Sequence, residues 1–196
     1  MVFINKTTTD VCGGDRAVQF PIDTRPQQVQ LSDGATIRLR PAGRKDRERL
    51  RRMFFGLSDA TRYLYFCAGV PRDETRAEQV VALGRADGQA SFALVAEVNG
   101  EVVGVARFDR AADGRTAEVG ILLADRWQSR GLGRYVLLRL AEEARRRMVD
   151  AFTGYVLWEN RRMLRLAKRV FPGSSMDCAS GGCYIQMGLD ARLAGA

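Results

Sequence analysis

Gln128-Ser129-Arg130-Gly131-Leu132-Gly133-Arg134 is the stretch on which the reading of this chain turns. The apolar run Val119-Gly120-Ile121-Leu122-Leu123 precedes it, and an amphipathic stretch from Tyr135 to Met148 follows it. The order is strand, short loop, glycine turn, helix. Two glycines one residue apart let the backbone turn tightly and come close to a ligand. The turn opens a helix whose first N–H groups have no partner within the helix. Those donors, at the positive end of the helix dipole, make an anion site that suits phosphate. Arg126, Arg130 and Arg134 ring the turn and add positive charge. A dinucleotide fingerprint is excluded, because Gly131-Leu132-Gly133 runs on into Arg134-Tyr135-Val136, and a Walker loop is excluded for want of Gly-Lys-Ser/Thr. What remains is Q-x-x-G-x-G between a strand and a helix. The competing reading is a helix entry whose glycines only serve packing.

Upstream, Asp113-Gly114 separates the strand Thr116 to Leu123 from a strand at Val102 to Phe108. Asn99-Gly100 is a two-residue hairpin signal that joins the latter to an alternating strand, Phe92, Leu94, Ala96 and Val98. A helix is expected from Asp73 to Gly84, with Ala77, Val80 and Val81 inward. Before it, residues 58–73 hold Tyr63, Tyr65, Phe66 and Cys67 and are expected to be a loop rich in apolar surface. Leu50, Met53, Phe54 and Leu57 recur at helical spacing after about Lys45. Thr36 to Arg40 alternates and stops at Pro41, as a strand does. Residues 1–33 are polar and punctuated by Gly and Pro, and are expected to be an irregular arm. Downstream, Phe152 to Trp158 is expected to be a strand, Asn160 to Val170 a helix stopped by Pro172-Gly173, and Cys183 to Leu189 a closing strand.

Length and composition agree with one globular domain: 196 residues, 46% hydrophobic and 28% charged. No run approaches the roughly 18 apolar residues of a membrane span, and the N-terminal apolar run is too short for a signal peptide, so the cytoplasm is the expected compartment. There is no histidine, which excludes histidine bases, Ser-His and Cys-His pairs and histidine metal ligands. Cys12, Cys67, Cys178 and Cys183 make no C-x-x-C pair. Cys178 and Cys183 flank a turn-like Ala-Ser-Gly-Gly, but reduced thiols are the expectation in a cytosolic chain, with no metal site. The net charge of +8 favours anionic partners. It suits a phosphate-rich ligand. Nucleic acid has no support beyond charge, since no basic stretch is interleaved with aromatics. Arg161, Arg165, Lys168 and Arg169 are expected to be a solvated helix face.

This order resembles the GNAT acetyltransferase superfamily over about residues 36–190. Four segments carry the resemblance: Thr36–Pro41 with the helix after it, Ala117-Glu118-Val119 with the loop at Gln128, Val156-Leu157-Trp158-Glu159-Asn160 with Met163-Leu164, and the last alternating strand. Within the superfamily, Leu57 to Phe66, Ala117-Glu118-Val119, Trp127-Gln128 and Val156–Met163 look most like the acetyltransferase domain of bacterial Pat-type protein lysine acetyltransferases. The resemblance implies an α/β (α+β) domain over residues 34–196, with a mixed, mostly antiparallel sheet of six to seven strands and helices on both faces. It implies acetyl-coenzyme A as acyl donor, with no metal, and an amine acceptor, a protein lysine first. The alternatives are a small amine such as a polyamine, aminoglycoside or amino acid, or a catalytically silent acyl-coenzyme A sensor. The oligomeric state is left open.

The resemblance also assigns residues. Main-chain N–H groups from Ser129, Arg130, Gly131, Leu132, Gly133 and Arg134, with Gln128, hold the pyrophosphate. Ile121, Leu122 and Leu123 lie beside the pantetheine arm like an added strand, and an N–H near Leu122 polarises the thioester carbonyl. Glu118 is the candidate base, with pairing to an arginine such as Arg107 as its structural alternative. Asn160 caps a helix and contacts the cofactor. Many relatives place a general-acid tyrosine seven residues after that asparagine. Here the position is Ala167, which leaves Tyr135, Tyr155 or Tyr184 as the phenol, or an unassisted thiolate.

Overall fold

The computed structural model describes residues 25–179 and 181–189. Eight strands form one sheet among them: β1 (Gln27–Gln30), β2 (Thr36–Pro41), β3 (Ser91–Val98), β4 (Glu101–Arg110), β5 (Thr116–Leu123), β6 (Ala151–Leu157), β7 (Ser175–Ala179) and β8 (Gly182–Gly188). Five helices accompany them: α1 (Arg47–Phe55), α2 (Asp59–Phe66), α3 (Glu74–Leu83), α4 (Leu132–Arg146) and α5 (Arg161–Val170). The strand order is β1-β2-β3-β4-β5-β6-β8-β7. Only β5 and β6 are parallel, because α4 carries the chain back between them; the remaining neighbours are antiparallel.

Alternation along the strands divides the core in two. Ala117, Val119, Ile121 and Leu123 of β5 pack with Val136, Leu137 and Leu140 of α4 and Met163 and Ala167 of α5. Leu122 turns the other way, with Val95 and Val105, and lies under Leu50, Phe54, Val80 and Val81 of α1 and α3. The helices thus cover both faces, as expected of the fold class. The α1–α3 layer stops at β5, since its core holds no residue of β6, β7 or β8.

The Asn99-Gly100 hairpin forms with both residues left-handed, φ 49° and 82°, the geometry a twisted two-residue turn requires. Asp73 caps α3 and Asn160 caps α5 through their side-chain oxygens. At the end of α4 the run Arg145-Arg146-Arg147 does not wholly face solvent. Arg147 is fully buried, 4.6 Å from the Phe92 ring, and shares the buried Glu143 with Arg139 and Arg146.

Four expectations change. Two further edge strands bring the sheet to eight. β1 falls inside the segment expected to be irregular; Val29 is its only buried residue, so no alternation announces it. Residues 1–24 of that arm, with Cys12, lie outside the described residues. β7 is a mostly exposed edge strand that, among the described residues, pairs only with β8. Residues 59–66, expected as loop, form α2, which Ser58 starts by accepting from Thr61 N and Cys67 ends in a left-handed conformation, φ 52°. Cys178 and Cys183 are joined in a disulfide, not reduced: the β7–β8 register sets them directly opposite, with Cα atoms 4.0 Å apart. Among the described residues no helix is long and apolar enough to cross a membrane, and no cluster of three His, Cys, Asp or Glu could hold a metal ion.

Candidate active site

The β5–β6 ladder lasts three rungs, Thr116 with Ala151, Ala117 with Phe152 and Glu118 with Thr153. Beyond it β5 stays paired with β4 as far as Leu123, and β6 with β8 as far as Leu157. The two strands diverge and leave a wedge in the middle of the sheet. The main-chain bonds at the two ends of the β4–β5 ladder, Ala111 N to Thr116 O and Ala124 N to Val103 O, both 2.9 Å, fix which residues face it. With that phase the peptide groups of Glu118, Gly120 and Leu122 point to β4, and those of Ile121 and Leu123 point into the wedge. The N–H expected near Leu122 as a carbonyl donor is therefore not that of Leu122 itself.

At the top of β5 the chain passes through a short 3-10 turn, Asp125–Trp127, into the glycine turn. Ser129 and Gly131 are left-handed, φ 60° and 89°. Among the described residues, the N–H groups of residues 129–133 find no hydrogen-bond acceptor. Helix α4 has no side-chain cap and no acid in its first turn, whereas α2, α3 and α5 are all capped. Successive unpaired donors at an exposed turn form a nest for an anion. A Cβ on Gly131 would meet nothing within 4 Å, so the nest is open, and glycine is needed there for its φ. Gly133 has a different reason: a Cβ would come 2.9 Å from Leu166 Cδ2, so this glycine lets α5 pack against α4. Leu132 is fully buried and anchors the turn in the core.

The side chains around the turn serve the protein itself. Gln128 Nε2 donates to Leu123 O at 3.0 Å and to Thr61 Oγ1 at 2.9 Å. Asp125 accepts from Ser58 N, Ser58 Oγ and Thr61 Oγ1 at 2.9, 2.5 and 2.7 Å. Burial pushes the Asp125 carboxyl up, but the Ser58 and Thr61 bonds outweigh it and hold the carboxyl below its ordinary range. Arg130 lies 4.3 Å above the Trp127 ring and donates from Nε to Asp33 Oδ2 at 2.5 Å. That bond lowers the Asp33 pKa. The exposed Arg126 stands 5.9 Å from the same ring. Sequence reasoning missed Ser58, Thr61, Asp125 and Asp33; the Ser58-x-x-Thr61 spacing of a helix start was the one local signal among them.

Glu118 is half-buried on the last rung before the wedge opens, opposite Asp109 and level with Thr153. Arg107 sends its guanidinium to Asp109 and to the carbonyls of Ala82 and Arg85. Alternation puts Thr153 and Tyr155 of β6 on the Glu118 face, with Tyr184 and Gln186 of β8 beside them. The Tyr155 and Tyr184 rings are 6.2 Å apart, and a Cβ on Gly182 would run into the Tyr155 ring. Tyr135 and Tyr155 both border the core under α4 and α5; it is the strand register that puts Tyr155 and Tyr184 on the face of Glu118, whereas Tyr135 stands on α4. Asn160 is buried and accepts from Met163 N at 3.2 Å; its amide nitrogen takes no part in that cap. Ala167 is core. Helix α2 spans the wedge mouth: Ser58 and Thr61 are tied to the turn after β5, and Tyr63 stands beside the carboxylate of Glu159, just after β6, whose charge raises the pKa of the phenol.

The sequence profile of the acetyltransferase (GNAT) domain matches residues 36–170. This chain belongs to the GNAT acetyltransferase family. It is similar to the GNAT domain of the PAT protein of S. lividans, 29% identical with a TM-score of 0.74, over 83% of this chain and 96% of that domain. An acetyltransferase of Pseudomonas aeruginosa is 33% identical over 120 residues, 59% of this chain, and the match spans 63% of that relative's length. A Salmonella typhimurium protein solved with its cofactor acetyl-CoA shares the fold at 24% identity and a TM-score of 0.57, over 79% of this chain and 95% of that one. The wedge, the open nest and the unpaired donors of residues 129–133 fit a ligand of that shape, a diphosphate with a slim amide-bearing arm.

Proposed function

We propose that this protein transfers the acetyl group of acetyl-coenzyme A to the side-chain amine of a lysine on a protein. The supporting observation is the open sheet face beside the wedge. The α1–α3 layer ends at β5, and Tyr184 and Gln186 stand exposed beyond it. A small amine needs an enclosed pocket; a polypeptide needs a surface it can lie along.

In this reading the N–H groups of residues 129–133 hold the diphosphate, and Asn160 steadies the arm. The gap-facing peptide groups of Ile121 and Leu123 pair with the arm as a neighbouring strand would, and one of their N–H groups polarises the thioester oxygen. Acetyl-coenzyme A supplies the activated acyl group. Glu118 accepts the proton of the acceptor ammonium, so that a neutral amine forms the new C–N bond as the C–S bond breaks. Tyr155, on the β6 wall, is the phenol placed to protonate the departing thiolate. Positioning two reactants in one wedge supplies a large part of the acceleration.

Incubation with acetyl-coenzyme A and a panel of lysine-bearing proteins, polyamines, aminoglycosides and amino acids, read by thiol release, tests this. Release with the proteins is expected. Release only with small amines makes it a small-molecule acetyltransferase, and binding without release in any case makes it a sensor.

A further inference from the structure

Four large apolar side chains stand exposed among the described residues, and three of them gather at the wedge mouth: Tyr63 at 38%, Trp158 at 48% and Tyr184 at 52%. Met148, the fourth, lies beyond the far end of α4. Contacts between neighbouring segments connect the three. Tyr63 stands beside the carboxylate of Glu159, the neighbour of Trp158, whose charge raises the pKa of the phenol. Trp158 Nε1 donates to Gly182 O at 2.9 Å, and Trp158 N to Gly181 O at 3.1 Å, in the β7–β8 turn. Tyr184 follows two residues on, against Tyr155.

A single exposed aromatic needs no explanation. Three in one place, from three separate segments, do. The indole N–H of Trp158 is spent on Gly182, so the surface Trp158 leaves to solvent is ring face. Trp and Tyr so arranged are the residues that dominate protein–protein contacts. The charge is also local. In a chain of net charge +8, the rim carries Glu159 and, opposite Tyr184 on β7, Asp177. Among the described residues neither is paired with a lysine or arginine. Glu118 lies inward of them on the same face.

We infer that Tyr63, Trp158 and Tyr184 form a docking rim for the polypeptide that carries the acceptor lysine, and that the segment it takes is extended, with an apolar residue and a second basic residue beside the lysine. The apolar residue covers the rings, and the basic one meets Glu159 or Asp177. This rests on the acyl-transfer reading and adds the surface that selects the acceptor.

The test uses the full chain, acetyl-coenzyme A and two probes: an unstructured peptide with one lysine flanked by leucine and arginine, and Nα-acetyl-lysine amide. Tyr63→Ser and Trp158→Ser are expected to raise the peptide KM about tenfold, the loss of one well-packed anchor, while the peptide kcat and the calorimetric affinity for acetyl-coenzyme A hold. The KM for the single-lysine amide is expected to change far less. Trp158→Phe loses the bond to Gly182 but keeps a ring, and is expected to retain most of the peptide preference; this separates docking from the fold of the hairpin. Equal KM losses for peptide and amide, or an unchanged peptide KM in both serine variants, overturn the rim while the transfer reading stands. If the wild-type protein acetylates neither probe, nor any protein acceptor, the transfer reading falls and the rim falls with it.

Discussion

Gln128 and Thr61 are hydrogen-bonded side chain to side chain, Nε2 to Oγ1 at 2.9 Å, although 67 residues separate them in the chain. The same Nε2 holds the oxygen of Leu123 at 3.0 Å. The first residue of the Q-x-x-G-x-G stretch therefore fastens the end of β5 to α2, and Asp125 completes the joint. One small network connects β5, the nest and α2.

Thr61→Val removes the shared hydroxyl from the centre of that joint and takes one bond each from Gln128 and Asp125, which keep Leu123 O and Ser58. A hydrogen bond so lost costs about 0.5–1.5 kcal/mol. Urea unfolding is expected to show a loss of that size, and calorimetry a weaker acetyl-coenzyme A affinity. Weaker binding with no loss of stability would mean that Thr61 acts on the ligand rather than through the joint.

Glu118→Gln keeps the shape of the last rung before the wedge and removes its basicity. Turnover is expected to fall by about 10² to 10⁴, with cofactor affinity nearly unchanged. The deficit should shrink as pH rises toward the lysine pKa of about 10.4, where the acceptor is neutral without help. A deficit constant with pH would assign Glu118 to holding the acceptor or the sheet.

Acid should loosen the joint. Burial raises the Asp125 carboxyl, and bonds from Ser58 and Thr61 lower it further than burial raises it. Burial likewise opposes, and the Arg40 guanidinium and Gly43 N–H outweigh, at Asp46. Both carboxyls end below their unfolded values, so the folded chain binds fewer protons. Their contribution is complete above about pH 4 and is lost as pH falls through the folded values. Urea midpoints measured from pH 7 downward should hold until about pH 4 and then drop, and Asp125→Asn should flatten part of that drop.

The two glycines of the turn should separate. Gly131→Asp puts a carboxylate into the open nest at φ 89° and is expected to abolish cofactor binding in a folded protein. Gly133→Ala pushes on Leu166 Cδ2 and should act first on stability, through the α4–α5 contact. Calorimetry and unfolding on both variants check this; wild-type affinity in Gly131→Asp would make the turn structural only.

Where a segment carries its own signal, the sequence disclosed it. The Asn99-Gly100 turn, the stripe Leu137, Leu140, Ala141 and Ala144 of α4, and the Asn160 cap are local chemistry, and each formed in place. β1 and β7 were hidden because an edge strand buries too little to impose alternation. The aromatics of residues 63–66 hid α2, whose N-cap is completed by Asp125 from across the fold. Glu118 and the glycine turn were legible as letters, but which peptide groups face the wedge depends on the phase of the β4–β5 ladder, and no local pattern encodes that phase.

The wedge also changes what kind of surface this sheet presents. An intact sheet has two edges, and proteins blunt them against pairing with foreign strands. Here β5 and β6 add two more, inside the sheet, and the β5 edge cannot be blunted with proline or charge without losing Ile121 and Leu123 as a reading surface. Protection comes from topology: each inner edge looks at the other across a narrowing slot whose mouth α2 spans. A foreign strand that entered would have to thread its side chains past both neighbours at once. A slim arm with amides and no side chains would not, so the feature proposed to admit the ligand is also the one that keeps these edges from seeding aggregation.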